Sequence, residues 1–141
     1  MGDEANIPAF KLGHTGLARI FGELEAQIMD VIWRLEEATV GDVVTHLEGD
    51  YHYNTIMTVM NRLVDKGFLV RRREGRAYIY SAVEDREAFL ARVSRQVAEG
   101  LLRDFGRLAI AQFVDAADAI DPDLLDELRR LAGQKPEEGE A

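Results

Sequence analysis

The feature that most constrains this chain is a change of hydrophobic period, from helical to two-residue spacing and back again. Leu24, Ile28, Val31, Ile32 and Leu35 recur at three- and four-residue intervals, and Met29 and Trp33 widen the stripe. This spacing predicts a well-buried helix over about 22–35. Val43, Val44 and Leu47 predict a short helix over about 40–47, which Thr39 can cap while Asp42 sits near its positive end. Gly49 and Asp50 break the pattern, and Ile56, Val59, Met60 and Leu63 then mark a third helix over about 53–66, with Gly67 as its left-handed cap. The segment that follows, FLVRRREGRAYIYSA, is rich in β-branched and aromatic residues on both sides of a turn, and predicts a β-hairpin. With Glu74 and Gly75 as a two-residue loop, Arg73 faces Arg76, Arg71 faces Tyr78 and Leu69 faces Tyr80. Val70, Arg72, Ala77 and Ile79 then share one side of the hairpin, and the other side is mostly basic and aromatic.

Past Val83 the period is helical again. Asp85 can cap a helix running to about Leu102, with Phe89, Val93, Val97 and Leu101 four apart along it. After Gly106, a helix over about 107–117 carries Ile110, Phe113, Val114 and Ala117. Asp121 and Pro122 open a last helix whose apolar face is Leu124, Leu125, Leu128 and Leu131, and Gly133 is expected to stop it. The predicted class is mainly α with a small β-hairpin wing: a winged helix-turn-helix over 22–82 and a helical region over 83–133. Residues 1–21 read as a flexible leader and 134–141 as a tail, although Leu17, Ile20 and Phe21 can pack onto the next element.

At 141 residues, each of these pieces has a marginal core by itself. The last sixty residues must bury Phe89, Phe105, Phe113 and many leucines with little sheet to cover them. The row on the fourth helix could pack wholly within one copy, but pairing with a second copy is the better account. Phe89, Val93, Val97, Leu101, Phe113, Leu124, Leu125 and Leu128 are the expected dimerisation residues.

In a helix, short helix, helix, hairpin arrangement, the first two helices hold the third so that it can enter a major groove, while the hairpin reaches along the backbone. The third helix offers Asn54, Thr55, Thr58 and Arg62 on its non-core side, with Met57 and Asn61 beside them. Such groups can bond phosphates and base edges or touch a thymine methyl. A merely solvated helix face more often carries Glu and Lys pairs. The net charge of −9 seems to argue against nucleic acid, yet it is unevenly spread. Residues 51–81 hold six basic side chains against two acidic ones, while residues 1–50 carry a net −7 and residues 82–141 a net −6. Phosphates respond to the local face within a Debye length of roughly 8–10 Å. Arg71, Arg72, Arg73 and Arg76 are therefore expected to contact phosphate, the alternative being an edge hairpin blunted by charge. Tyr53 can contact phosphate at the helix start or simply close the domain edge, and Tyr78 and Tyr80 read as hairpin packing.

On the residues GELEAQIMDVIW, YNTIMTVMNRLVDKGFL and RRREGRAYIYSA, the region 22–82 resembles the BlaI/MecI family of bacterial repressors. DREAFL, AQFVD and DPDLLDELRRL extend the likeness to Leu131. The resemblance implies a homodimer that binds a short palindromic operator in double-stranded DNA through the third helix and wing, with Asn54, Thr55, Met57, Thr58 and Arg62 facing the groove. Members of that family can be inactivated by proteolysis downstream of a membrane-bound sensor. By position, AQFVD would place the cut between Gln112 and Phe113, with a sensor-linked protease as partner. The alternative is that these are ordinary helix residues and a ligand or protein partner releases the DNA.

No other chemistry is indicated. The absence of cysteine excludes disulfides, thiolate metal sites and a cysteine nucleophile. His14, His46 and His52 lack ligand spacing, and Ser81 and Ser94 join no catalytic arrangement, so neither an enzyme nor a metal or other cofactor is expected. No basic-then-apolar leader and no membrane-length apolar run are present, which predicts a cytoplasmic protein that does not insert into the membrane. The competing reading is a winged-helix adaptor that binds protein, but an adaptor has no need of a basic wing beside a polar third helix.

Overall fold

The computed structural model describes residues 9–134. A short 3₁₀ turn (Gly16–Arg19) precedes α1 (Glu23–Leu35), β1 (Glu37–Ala38), α2 (Val40–His46), α3 (Tyr53–Asp65), β2 (Leu69–Glu74) and β3 (Ala77–Ala82). Three helices follow: α4 (Arg86–Phe105), α5 (Arg107–Ile120) and α6 (Pro122–Gln134). The strands form one antiparallel sheet in the order β1-β3-β2, which with α1–α3 makes a winged helix. Among the described residues, no helix is long and apolar enough to cross a membrane.

The chain divides into two units at Ser94/Arg95, twelve residues beyond the expected boundary. The first closes its own core. Ile28, Met29, Val31 and Ile32 of the α1 stripe are buried while Leu24, Trp33 and Leu35 are half-buried, and Ile56, Met60 and Leu63 on α3 are buried. Thr39 and Asp42 cap α2 reciprocally, each side chain bonding the other's backbone N–H at 3.0 Å. Gly67, at φ 89°, turns the chain out of α3, and Phe68 enters the core as the wing begins. Glu25 accepts from the Gly22 N–H and from Lys66, each at 3.0 Å, tying the start of α1 to the end of α3. Burial by itself would raise the Glu25 carboxyl, but these bonds and the charges of Lys66 and Lys11 hold it below the ordinary carboxylate range.

Three expectations are corrected here. Phe89 and Val93 are not spare residues for a seam between copies; they are 1% and 3% exposed inside the first unit. Phe89 packs against Phe21 and Phe68 at centroid distances of 5.5 and 5.9 Å, and against Trp33 at 5.5 Å. Helical spacing showed that these residues share a face, but not what that face meets. The segment before α1 is likewise docked where it is described. Leu17, Ile20 and Phe21 are buried, Lys11 Nζ donates to the Phe21 carbonyl at 3.1 Å, and Arg19 donates to the carbonyls of Lys11 and Leu12. The rest of the expected leader, residues 1–8, lies outside the described residues, as do 135–141 of the expected tail. Finally, α6 continues past Gly133 to Gln134.

The hairpin register also differs. Glu74 pairs with Ala77, Arg73 with Tyr78 and Arg71 with Tyr80, so the loop is Gly75-Arg76. Only Gly75 has positive φ, 64°, which fits a turn with glycine at its first central position. The partners move by two residues, so the expected faces survive.

The second unit is different in kind. Neither α5 nor α6 buries a residue, and Leu108, Phe113 and Ile120 are 63%, 62% and 77% exposed. An apolar groove of about 250 Å³ runs among Leu101, Leu102, Ile110, Phe113 and Leu128.

Because Phe89 belongs to the first unit's core, Phe89→Ala should destabilise that unit by about 3–5 kcal/mol. Denaturant unfolding at several protein concentrations checks this: a core residue gives the same loss at each, a seam residue does not.

Candidate nucleic-acid interface

The outer side of α3 is the natural starting point. Ile56, Met60 and Leu63 turn inward, which leaves Tyr53, Asn54, Thr55, Thr58 and Arg62 exposed and Met57 half-buried. Thr58 Oγ1 donates to the Asn54 carbonyl at 2.9 Å. Its proton is therefore committed to the helix, and what it offers outward is an acceptor and a methyl group. Among the described residues, Arg62 makes no ion pair.

The wing has two chemically distinct sides. On one, Arg71 and Arg73 flank Tyr78, with their guanidinium carbons 4.4 and 5.7 Å from its ring centre. On the other, Arg72 reaches Glu37 of β1 through two bonds of 3.0 and 3.1 Å, and Glu74 through a third of 3.2 Å. The Arg72 hydrogen bonds and charge hold the Glu37 carboxyl below the ordinary range, while Glu37 and Glu74 push the guanidinium further up. Arg72, expected as a phosphate contact though on the opposite side of the hairpin from Arg71 and Arg73, is instead neutralised as an anchor of the wing to β1. Arg76 occupies the turn, exposed and without an ion pair among the described residues.

Of the six basic residues in this region, Lys66 and Arg72 are paired, which leaves Arg62, Arg71, Arg73 and Arg76. The arrangement combines a polar helix face with four arginines. It holds no hydrogen-bonded pair of nucleophile and base, and no group of three or more metal-ligating side chains occurs among the described residues.

The penicillinase repressor family model matches residues 21–134. The chain belongs to that family. Among its relatives, the transcriptional regulator BlaI of Mycobacterium tuberculosis (strain H37Rv) is 33% identical over 129 residues, covering 85% of this chain and 93% of the other. The methicillin resistance regulatory protein MecI of Staphylococcus aureus (strain N315) is 22% identical over 113 residues, covering 79% and 91%. Penicillinase repressors are DNA-binding regulators of transcription rather than enzymes.

In this repressor the winged helix uses two residues whose structural roles the sequence did not disclose. Glu37 sits on a two-residue strand, too short to leave a periodic signal. Asn61 faces the wing rather than a groove: its Oδ1 accepts from the Tyr80 hydroxyl at 2.7 Å and from Arg71 Nη1 at 2.6 Å. Its position one helical turn beyond Thr58 was the available clue. Of the residues expected at a seam between copies, Leu101, Phe113 and Leu124 are exposed, while Val97, Leu125 and Leu128 are half-buried. Gln112 and Phe113 both lie exposed in the middle of α5.

The Glu37–Arg72 tie has a pH signature. A carboxyl held low keeps its interaction above the unfolded pKa and loses it as pH falls through the lowered value. The tie should therefore be intact at neutral pH. In an NMR titration, Glu37 should protonate below the usual glutamate range in the wild type and return to that range in Arg72→Ala.

Proposed function

We propose that this protein represses transcription in the cytoplasm as a homodimer bound to a short palindromic operator, each copy placing α3 in a major groove and its wing along the backbone. The observation that carries this reading is the outer face of α3, polar and nearly uncharged, next to a wing with unpaired arginines. Asn54, Thr55, Met57, Thr58 and Arg62 supply base and groove contacts. Tyr53, Arg71, Arg73 and Arg76 supply phosphate contacts, which position the protein without reading sequence. A protein-binding adaptor would need neither set.

The large exposed side chains of α5 and α6 support the dimer. An isolated unit showing water this much apolar surface lacks the burial that orders a chain, and a second copy provides it. The two-fold symmetry would set half-sites about one helical turn, roughly 34 Å, or a multiple apart. Release would follow cutting by a sensor-linked protease between Gln112 and Phe113, in the AQFVD segment of α5, where Gln112 is exposed and Phe113 would be covered by the partner copy. Such a cut would detach the leucine face of α6 and weaken the pairing. Immunoblots through induction test it, because a repressor that stays full length requires release by a ligand or partner instead.

An electrophoretic shift on the DNA upstream of the protein's own gene tests the main reading. Arg73→Ala should weaken binding to all sequences and lower the slope of log affinity against log salt by about 0.9. Arg62→Ala should instead change the preferred site, at about 1–3 kcal/mol for a lost bidentate base contact. Site selection from random DNA distinguishes the two.

Phe113→Asp should convert dimer to monomer in sedimentation while leaving the winged helix folded. The new carboxylate is solvated in the single chain but desolvated in the paired one. An intact dimer would remove Phe113 from the interface.

A further inference from the structure

Arg71 belongs to the wing by sequence, yet its guanidinium is held against α3. Nη1 donates to Asn61 Oδ1 at 2.6 Å while the group lies 4.4 Å over the Tyr78 ring. Asn61 follows Asn54 by seven positions and Thr58 by three, so it continues the same stripe of α3. Its oxygen is fixed from behind by the hydroxyl of Tyr80, a side chain only 1% exposed. A buried tyrosine hydroxyl needs a partner, and here it orients the amide that in turn orients the arginine. Two donors converging on one atom also identify that atom as the carbonyl oxygen.

We infer that Asn61 is a positioning residue that presets Arg71 for a phosphate at the edge of the groove read by α3, so that Arg71 acts with the recognition helix rather than with the wing tip. The inference rests on the DNA-binding reading above. A free arginine side chain loses rotamer freedom when it meets a phosphate, whereas one already bonded and stacked has little left to lose. Arg73 offers the contrast: among the described residues its one hydrogen bond is local, from Nε to the Gly75 carbonyl at 3.2 Å.

The test is a double-mutant cycle on operator affinity using Asn61→Ala, Arg71→Ala and the combination. Asn61→Ala should weaken binding about fivefold with the salt slope unchanged, because Arg71 still reaches its phosphate. Arg71→Ala should weaken binding further and lower the slope by about 0.9. In the Arg71→Ala background, removing Asn61 should have no additional effect. Additive losses would overturn the inference, since they would mean that Asn61 contacts DNA itself or merely supports the fold. Nitrogen relaxation of the Arg71 side chain in the free protein gives a second readout: Nε ordered in the wild type and mobile in Asn61→Ala. Equal mobility in the two would also overturn the inference. Should Asn61→Ala fail to fold, Tyr80→Phe keeps the ring and removes the rear donor, and it should give a smaller loss that again vanishes without Arg71. If the wild type binds no DNA, the repressor reading itself falls, and this inference with it.

Discussion

The contact among Phe21, Phe68 and Phe89 organises the first unit, because each ring arrives from a different part of the chain. Phe21 ends the segment before α1, Phe68 stands between α3 and the wing, and Phe89 lies in the first turn of α4. Their centroids are 5.0 to 5.9 Å apart, edge-on or stacked, geometries that favour aromatic pairs beyond simple burial. Phe68 also closes the base of the hairpin, where the Val83 N–H donates to its carbonyl at 3.0 Å. Trp33 joins from α1 and donates Nε1 to the Glu84 carbonyl at 3.0 Å. The wing is therefore fixed at its root to the core that holds α3, which keeps the proposed reading helix and the hairpin in register with each other.

Electrostatics sorts the arginines of that surface by task. A hairpin bearing four arginines within six residues would repel itself if all pointed one way. Strand alternation sends Arg72 to the far side, where Glu37 and Glu74 neutralise it. Arg71 and Arg73 remain on the near side and spread their charge over the face of Tyr78. The overall excess of acidic residues leaves this patch in place, since it is carried mostly by the segments on either side.

Much of this was legible in the sequence because the helices are amphipathic and their ends are chemically marked. Thr39 with Asp42, Gly67, Asp85 and Pro122 each announce a boundary that the structure keeps. Less legible was anything that depends on which surface meets which. Glu74-Gly75 and Gly75-Arg76 are both acceptable two-residue loops by composition, and only the strand pairing of Glu74 with Ala77 separates them. Phe89 and Val97 lie on one helical stripe, yet the first is sealed in the core and the second is half-buried in the other unit. A period reports that a face is apolar and leaves its partner open. The double acceptor role of Asn61 was hidden for a related reason, since an asparagine on a recognition helix reads equally well as a base contact.

The two units differ in self-sufficiency, and this difference gives the proposed dimer a means of control. The winged helix has a closed core and needs no partner to be folded. The helical unit, with its large side chains exposed on α5 and α6, would gain most of its order from the proposed association. Joining two modest half-site contacts converts the second into an intramolecular event with a high effective concentration, so operator affinity depends steeply on pairing. In the proposed dimer, anything that removes part of the helical seam would then lower affinity steeply while leaving each winged helix intact. Repression can end without unfolding the part that recognises DNA. The aromatic cluster makes that separation possible, because by taking Phe89 and Val93 into the first unit it keeps the start of α4 in place whether or not the rest of the seam survives.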